Sequence, residues 1–166
     1  PDQTHIPIPG SAIAAPIVVD DEFLGILTVQ ALHPNAYDKR HVGLVQDIAL
    51  HIGIALRNSA AIRRPDEYVP QVSPARDLVA ELESLPDADE AARVLAQRVR
   101  ESVPYDGCIV FLLQHGELAT AAVGGYYSLP ERRAYQTYRM PRGVGIIWAS
   151  VEAGGSVAIP NLAEDS

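Results

Sequence analysis

The chain has 166 residues, 48% of them hydrophobic and 20% charged. That composition closes an ordinary core rather than a disordered segment, and no apolar run approaches the roughly 18 residues of a membrane span. Thirteen Lys and Arg against twenty-one Asp and Glu leave a net charge of −8, which makes a nucleic-acid backbone an unfavourable partner. One cysteine, Cys108, excludes an internal disulfide and any multi-cysteine zinc or redox centre. The N-terminus PDQTHIPIPGSAI has neither a basic region nor an apolar signal core, so the expectation is a cytoplasmic protein with no membrane partner.

In chain order, two apolar, β-branched runs come first, AIAAPIVV (12–19) and FLGILTVQA (23–31), separated by the acidic DDE. They predict a β-hairpin. In HPNAYDKRHVGLVQDIALHIGIALRNSAAIRRP, Asp38 caps a first turn, and Val45, Ile48, Ala49, Ile52, Ala55 and Leu56 recur at helical spacing. The spacing predicts a long amphipathic helix ending before Pro65. RRPDEYVPQVSP holds three prolines in twelve residues and cannot continue a helix. A short helix is predicted over 75–85. Asp87 and Glu90 then form a capping pair ahead of a helix with Ala91, Ala92, Leu95, Val99 and Val103 on one face. CIVFLL and ELATAAVGG read as strands around the turn QHG. A Tyr- and Arg-rich stretch, YYSLPERRAYQTYRMP, leads into the closing segment MPRGVGIIWASVEAGGSVAIPN.

The Gly-x-Gly of that segment precedes a helix, the placement of a phosphate cradle. There is no Gly-x-Gly-x-x-Gly, no Gly-Lys-Ser/Thr and no preceding parallel-strand unit. Gly143 and Gly145 read instead as a tight turn into a short helix, IIWASVEAG, with Ile147, Trp148 and Val151 on its buried side.

Two blocks of the chain resemble the two halves of one family in reversed order. DADEAARVLAQRVRES, YDGCIVFLL, GELATAAVGG and RGVGIIWASVEAGGSVAIPNL together resemble the N-terminal half of a GAF domain. SAIAAPIVVDDEFLGILTVQALHPNAYDKRHVGLVQDIALHIGIALRN resembles its C-terminal half. The resemblance implies an α+β fold, a GAF/PAS-like antiparallel six-stranded sheet with helices on both faces and the terminal helices packed as a bundle. It divides the chain into 1–64 with the C-terminal-half pattern, a linker over 65–74, and 75–166 with the N-terminal-half pattern. A tandem fragment, a circular permutation and an exchange of halves with a neighbour all produce this order. Orphan halves would each leave an open sheet edge and an uncovered apolar face, whereas one reassembled domain matches the length. The expectation is that the halves pack on each other, within one chain or between two.

The resemblance also frames the chemistry. A GAF-fold reductase of free methionine sulfoxide needs more than one cysteine to resolve its sulfenic acid. Bilin-binding relatives attach pigment to a loop cysteine commonly followed by histidine, whereas Cys108 lies between Gly107 and Ile109 in a predicted strand. The Asn-Lys…Phe…Asp-Glu pattern of cyclic-nucleotide binders corresponds here to Gln30, Ala31, Tyr37, His41 and Val42, which keeps the aromatic position alone. None of His5, His33, His41, His51 and His115 has a haem context, and His41 and His51 stand ten apart, not at zinc spacing. No Ser-His-Asp or paired-carboxylate arrangement stands out. No metal and no catalytic residue is assigned, the cofactor is unknown, and any catalysis belongs to another domain of the full-length protein.

What remains is an aromatic and basic cluster. Tyr126, Tyr127, Tyr135, Tyr138, Arg139 and Trp148 crowd one stretch, and Tyr126, Tyr127, Tyr138, Arg139, Trp148 and Asn161 are the candidate ligand-binding residues. Against this, Tyr127, Tyr135 and Tyr138 also suit the packing face of a surface helix. Arg139 beside Trp148 favours an anionic ligand; Arg139 facing solvent removes most of that reason. The function expected is a non-catalytic sensory or regulatory GAF module that binds a small molecule in a multidomain signalling protein of bacterial type, with an effector domain elsewhere. The alternative is a ligand-free GAF domain serving dimerisation and signal relay. A homodimer is expected in either case, through helices at 38–63 and 87–102 whose small residues Ala49, Gly53 and Ala60 allow close approach.

Overall fold

The computed structural model describes residues 9–61, 99–125, 133–135, 137–143 and 146–164. The first hairpin pairs β1 (Ser11–Val19) with β2 (Glu22–Ala31). Its turn is two residues long, Asp20 and Asp21, both at positive φ (46° and 63°). This is the primed-turn geometry whose twist matches the flanking strands, so Glu22 joins the strand rather than the turn.

Asp38 caps α1 (Lys39–Ala61), its Oδ1 accepting from the backbone N–H groups of Arg40 at 2.9 Å and His41 at 3.0 Å. The His41 N–H bond above all holds the Asp38 carboxyl below the usual carboxylate range. Val45, Ala49, Ile52 and Ala55 are buried, as their spacing predicts, while Ile48 and Leu56 pack half-buried at the edge of the same cluster.

Helical residues 99–102 lead into β3 (Gly107–Gln114), which turns at His115 and Gly116 (φ 53° and 86°) into β4 (Glu117–Gly125). Then come β5 (Arg139–Met140), α2 (Ile146–Glu152) and β6 (Val157–Ile159). The short helix predicted over 75–85, the linker over 65–74 and most of the helix over 87–102 lie outside the described residues. Of that last helix, Val99 and Val103 are fully buried, in one cluster with Val45 and Ala49 of α1.

The strands form one antiparallel sheet in the order β5-β4-β3-β2-β1-β6, so the fold is α+β with the expected six-stranded sheet. At its centre β2 runs beside β3 from Gly25↔Leu112 to Gln30↔Gly107. The approach there is close: a Cβ on Gly25 would lie 2.1 Å from the backbone oxygen of Phe111. Asp106 fastens the same seam, its N–H donating to Gln30 O at 2.9 Å and its Oδ2 accepting from Leu32 N–H at 2.7 Å.

Side-chain alternation gives the sheet two covered faces. Ile13, Ala15, Ile17, Leu27, Val29, Cys108 and Val110 meet α1 on one; Ala14, Ile26, Ile109, Phe111, Leu118 and Met140 meet Trp148 of α2 on the other. Ala49 and Gly53 serve the first face. A Cβ on Gly53 would meet Val19 Cγ2 at 2.5 Å and Ile17 Cγ2 at 3.1 Å, so these two small residues let α1 approach β1 and are not free for a second helix.

Candidate functional site

The face under α2 is built from short side chains at one side and bulky ones at the other. On β1, Ala12 and Ala14 are buried there, and on β2 and β3 Ile26, Ile109 and Phe111 stand higher. α2 packs over β1, where the alanines leave room for an indole. Trp148 fills it at 4% exposure, with the Phe23 ring tilted against it at 5.9 Å between centroids. Phe23 reaches this face because of a bulge. Val18 pairs Phe23 while Ile17 pairs Gly25, so Leu24 is the extra residue and packs with the α1 side. One inserted residue reverses the alternation and turns Phe23 toward Trp148.

α2 is ended by Gly154 at φ 68°. The Gly155 N–H donates to Ser150 O at 3.2 Å and the Gly154 N–H to Val151 O at 3.1 Å, the two bonds of a Schellman motif, whose left-handed position glycine occupies without strain. Gly143, at φ 77°, makes the turn expected on the other side of the helix.

The polar groups on this face are few. Thr28 donates to Ile109 O at 3.2 Å and Ser150 to Ile147 O at 2.7 Å. Trp148 Nε1 and Ser156 Oγ are buried with no hydrogen-bond partner among the described residues. No Asp, Glu, His, Lys or Arg is buried among the described residues, and these include no metal-holding group of three or more His, Cys, Asp or Glu.

Of the expected site residues, Trp148 is in this core. Arg139 is exposed: its neighbour Met140 is buried opposite Leu118, so strand alternation sends Arg139 the other way. Tyr138 is 42% exposed, and its backbone oxygen accepts from Thr120. Asn161 closes a local turn, its Oδ1 accepting from Ala163 N–H at 3.2 Å. Tyr126 and Tyr127 lie outside the described residues. Tyr135, the packing tyrosine, is buried beside Trp148 and Met140. Phe23, Thr28 and Ser150 on this face have no signal in the sequence: the first depends on a bulge, and the hydroxyls carry no motif.

The α1 side holds the ionisable groups that burial perturbs most. Burial pushes the Cys108 thiol up to about 12, and burial with the neighbouring thiol pushes Tyr105 up to about 12. Tyr37 rises further, through burial and then the Asp106 carboxylate, and its hydroxyl has no partner among the described residues. A thiol held protonated inside a core is inert rather than nucleophilic.

The GAF domain family model matches residues 2–56, so the segment carrying β1, β2 and most of α1 is similar to GAF-domain sequence. No curated protein and no solved structure matches the chain. No helix among the described residues is long and apolar enough to cross a membrane.

Proposed function

We propose that this chain is a sensing module that binds a small molecule between α2 and the sheet and passes its state, through α1 and the helix ending at 102, to an effector domain of a larger signalling protein. The carrying observation is the indole N–H of Trp148, buried on a covered sheet face with no hydrogen-bond partner among the described residues. Proteins rarely hide a donor in this way unless something supplies the partner. The test is native mass spectrometry of the purified chain beside the same sample denatured. A mass excess that vanishes on denaturation is expected.

A second reading, a ligand-free dimerisation and relay element, is favoured by Leu50, 47% exposed on the outer side of α1. A homodimer without bound mass would transfer the assignment to it. A clean monomer without bound mass would count against both.

A further inference from the structure

Asp38 caps α1 in both directions. Its Oδ1 accepts from the backbone N–H groups of Arg40 and His41, and its own N–H donates back to His41 Nδ1 at 3.2 Å. This is the reciprocal pattern of a capping box, with an imidazole at the position from which a Glu or Gln usually reaches back. The same nitrogen lies 2.9 Å from Asp38 Oδ1. It carries either a lone pair or a proton, so it accepts from the Asp38 N–H only while unprotonated and donates to the carboxylate only while protonated. Histidine is the side chain whose ordinary charge change falls in the physiological range.

We infer that the start of α1 is a proton-operated cap. With His41 neutral and its proton on Nε2, Nδ1 closes the box on the Asp38 N–H. With His41 cationic, the Nδ1–H turns to the Asp38 carboxylate, and the Asp38 N–H loses its acceptor. The cation then competes for the oxygen that caps the Arg40 and His41 N–H groups, and it stands at the positive end of the helix dipole. Asp38 stays ionised across the change, because the His41 N–H bond above all holds its carboxyl below the usual range. Lys39 and Arg40 of the same turn are exposed. From the loop the Tyr37 ring stands edge-on to His41 at 5.9 Å between centroids, and behind Tyr37 lie Asp106 and Cys108. Tyr37 also packs on the α1-side core, so the proton is read at the joint where the chain leaves the β2 loop and enters α1. The inference does not depend on a ligand under α2.

The test is NMR of the 15N-labelled chain, whose five histidines are sorted by the ring resonances that His41→Gln removes. Ring and backbone spectra are followed together from about pH 8 to about pH 5. At the upper end His41 is expected as the Nε2–H form, with the Asp38 amide proton downfield and protected from exchange. On acidification the Asp38 amide is expected to move upfield with the midpoint of the His41 ring and to lose about fivefold in protection, the worth of one net hydrogen bond. In His41→Gln a side-chain amide oxygen takes the acceptor's place at every pH, so the Asp38 amide should stay downfield and protected across the range.

A neutral His41 ring with its proton on Nδ1 overturns the inference, as does an Asp38 amide whose protection survives the imidazole titration. An Asp38 amide that still titrates in His41→Gln overturns it too, because another group then reads the proton. Should that variant not fold, the ring is assigned by through-bond correlation, and the tautomer and the Asp38 protection of the unmodified chain decide alone.

Discussion

Val29 and Cys108 are cross-strand partners where β2 meets β3, and both are fully buried on the α1 side. Antiparallel partners have Cα atoms about 4.5–5.5 Å apart, within the roughly 4.4–6.8 Å that a disulfide spans. Val29→Cys therefore gives the chain's one cysteine a partner across the seam between β2 and β3. The bridge closes a loop of about 80 residues, which by chain entropy removes about 4.5 kcal/mol from the unfolded state. Trimming a buried valine to cysteine costs about 1 kcal/mol. The oxidised variant should thus be about 3.5 kcal/mol more stable than the parent and the reduced one about 1 kcal/mol less. At about 2–4 °C per kcal/mol for a chain of this size, oxidation and reduction should separate the melting points by roughly 9–18 °C. Because burial pushes the Cys108 thiol up to about 12, the bridge is best formed by refolding with oxidised glutathione rather than by oxidising the folded protein. Non-reducing electrophoresis and intact mass read the product, and thermal melts with and without reductant read the energy. A bridged monomer is expected. A disulfide-linked dimer would mean that the halves complete each other between copies, and the absence of any bridge would mean that β2 and β3 are not neighbours.

Gly53→Ala places a methyl 2.5 Å from Val19 Cγ2 and should cost about 1–3 kcal/mol in urea unfolding; sedimentation should be unchanged, and loss of a dimer instead would restore this face to an interface. Asp21→Gly relieves a non-glycine residue at φ 63° in a two-residue turn and should raise stability by about 0.5–1 kcal/mol in thermal melts. Stability should be level from neutral pH to pH 9 and fall above it. Cys108, raised from 9.0 to about 12, and Tyr105, raised from 10.0 to about 12, hold their protons in the folded chain and release them on unfolding. The unfolded state then binds fewer protons, so the slope with pH is negative across that window. Cys108→Ala, compared by urea unfolding at pH 7 and pH 10, should flatten part of the fall.

Much of the fold is legible along the chain because its causes are local. The apolar, β-branched runs AIAAPIVV and FLGILTVQA, a period near 3.6 in Val45, Ala49, Ile52 and Ala55, and the capping aspartate Asp38 each act over a few residues. So does the apolar side of the short helix that buries Trp148. The partner of each face is a different matter. Ala49 and Gly53 at helical spacing promise a close neighbour, and the neighbour is strand β1 rather than another helix, because a small residue permits approach by any backbone. Arg139 and Met140 must point opposite ways, but the pairing of Met140 with Leu118 decides which of them enters the core. The bulge at Leu24 turns Phe23 onto Trp148, and one extra residue in a strand has no reliable local signature. Likewise, that the N–H of Trp148 has no partner among the described residues is a property of what surrounds it in space. The seam between β2 and β3 brings together residues about 80 apart, a contact whose loop-closure cost is repaid only by the whole sheet. Local chemistry therefore determined the elements and their apolar faces, and tertiary packing alone decided which faces meet.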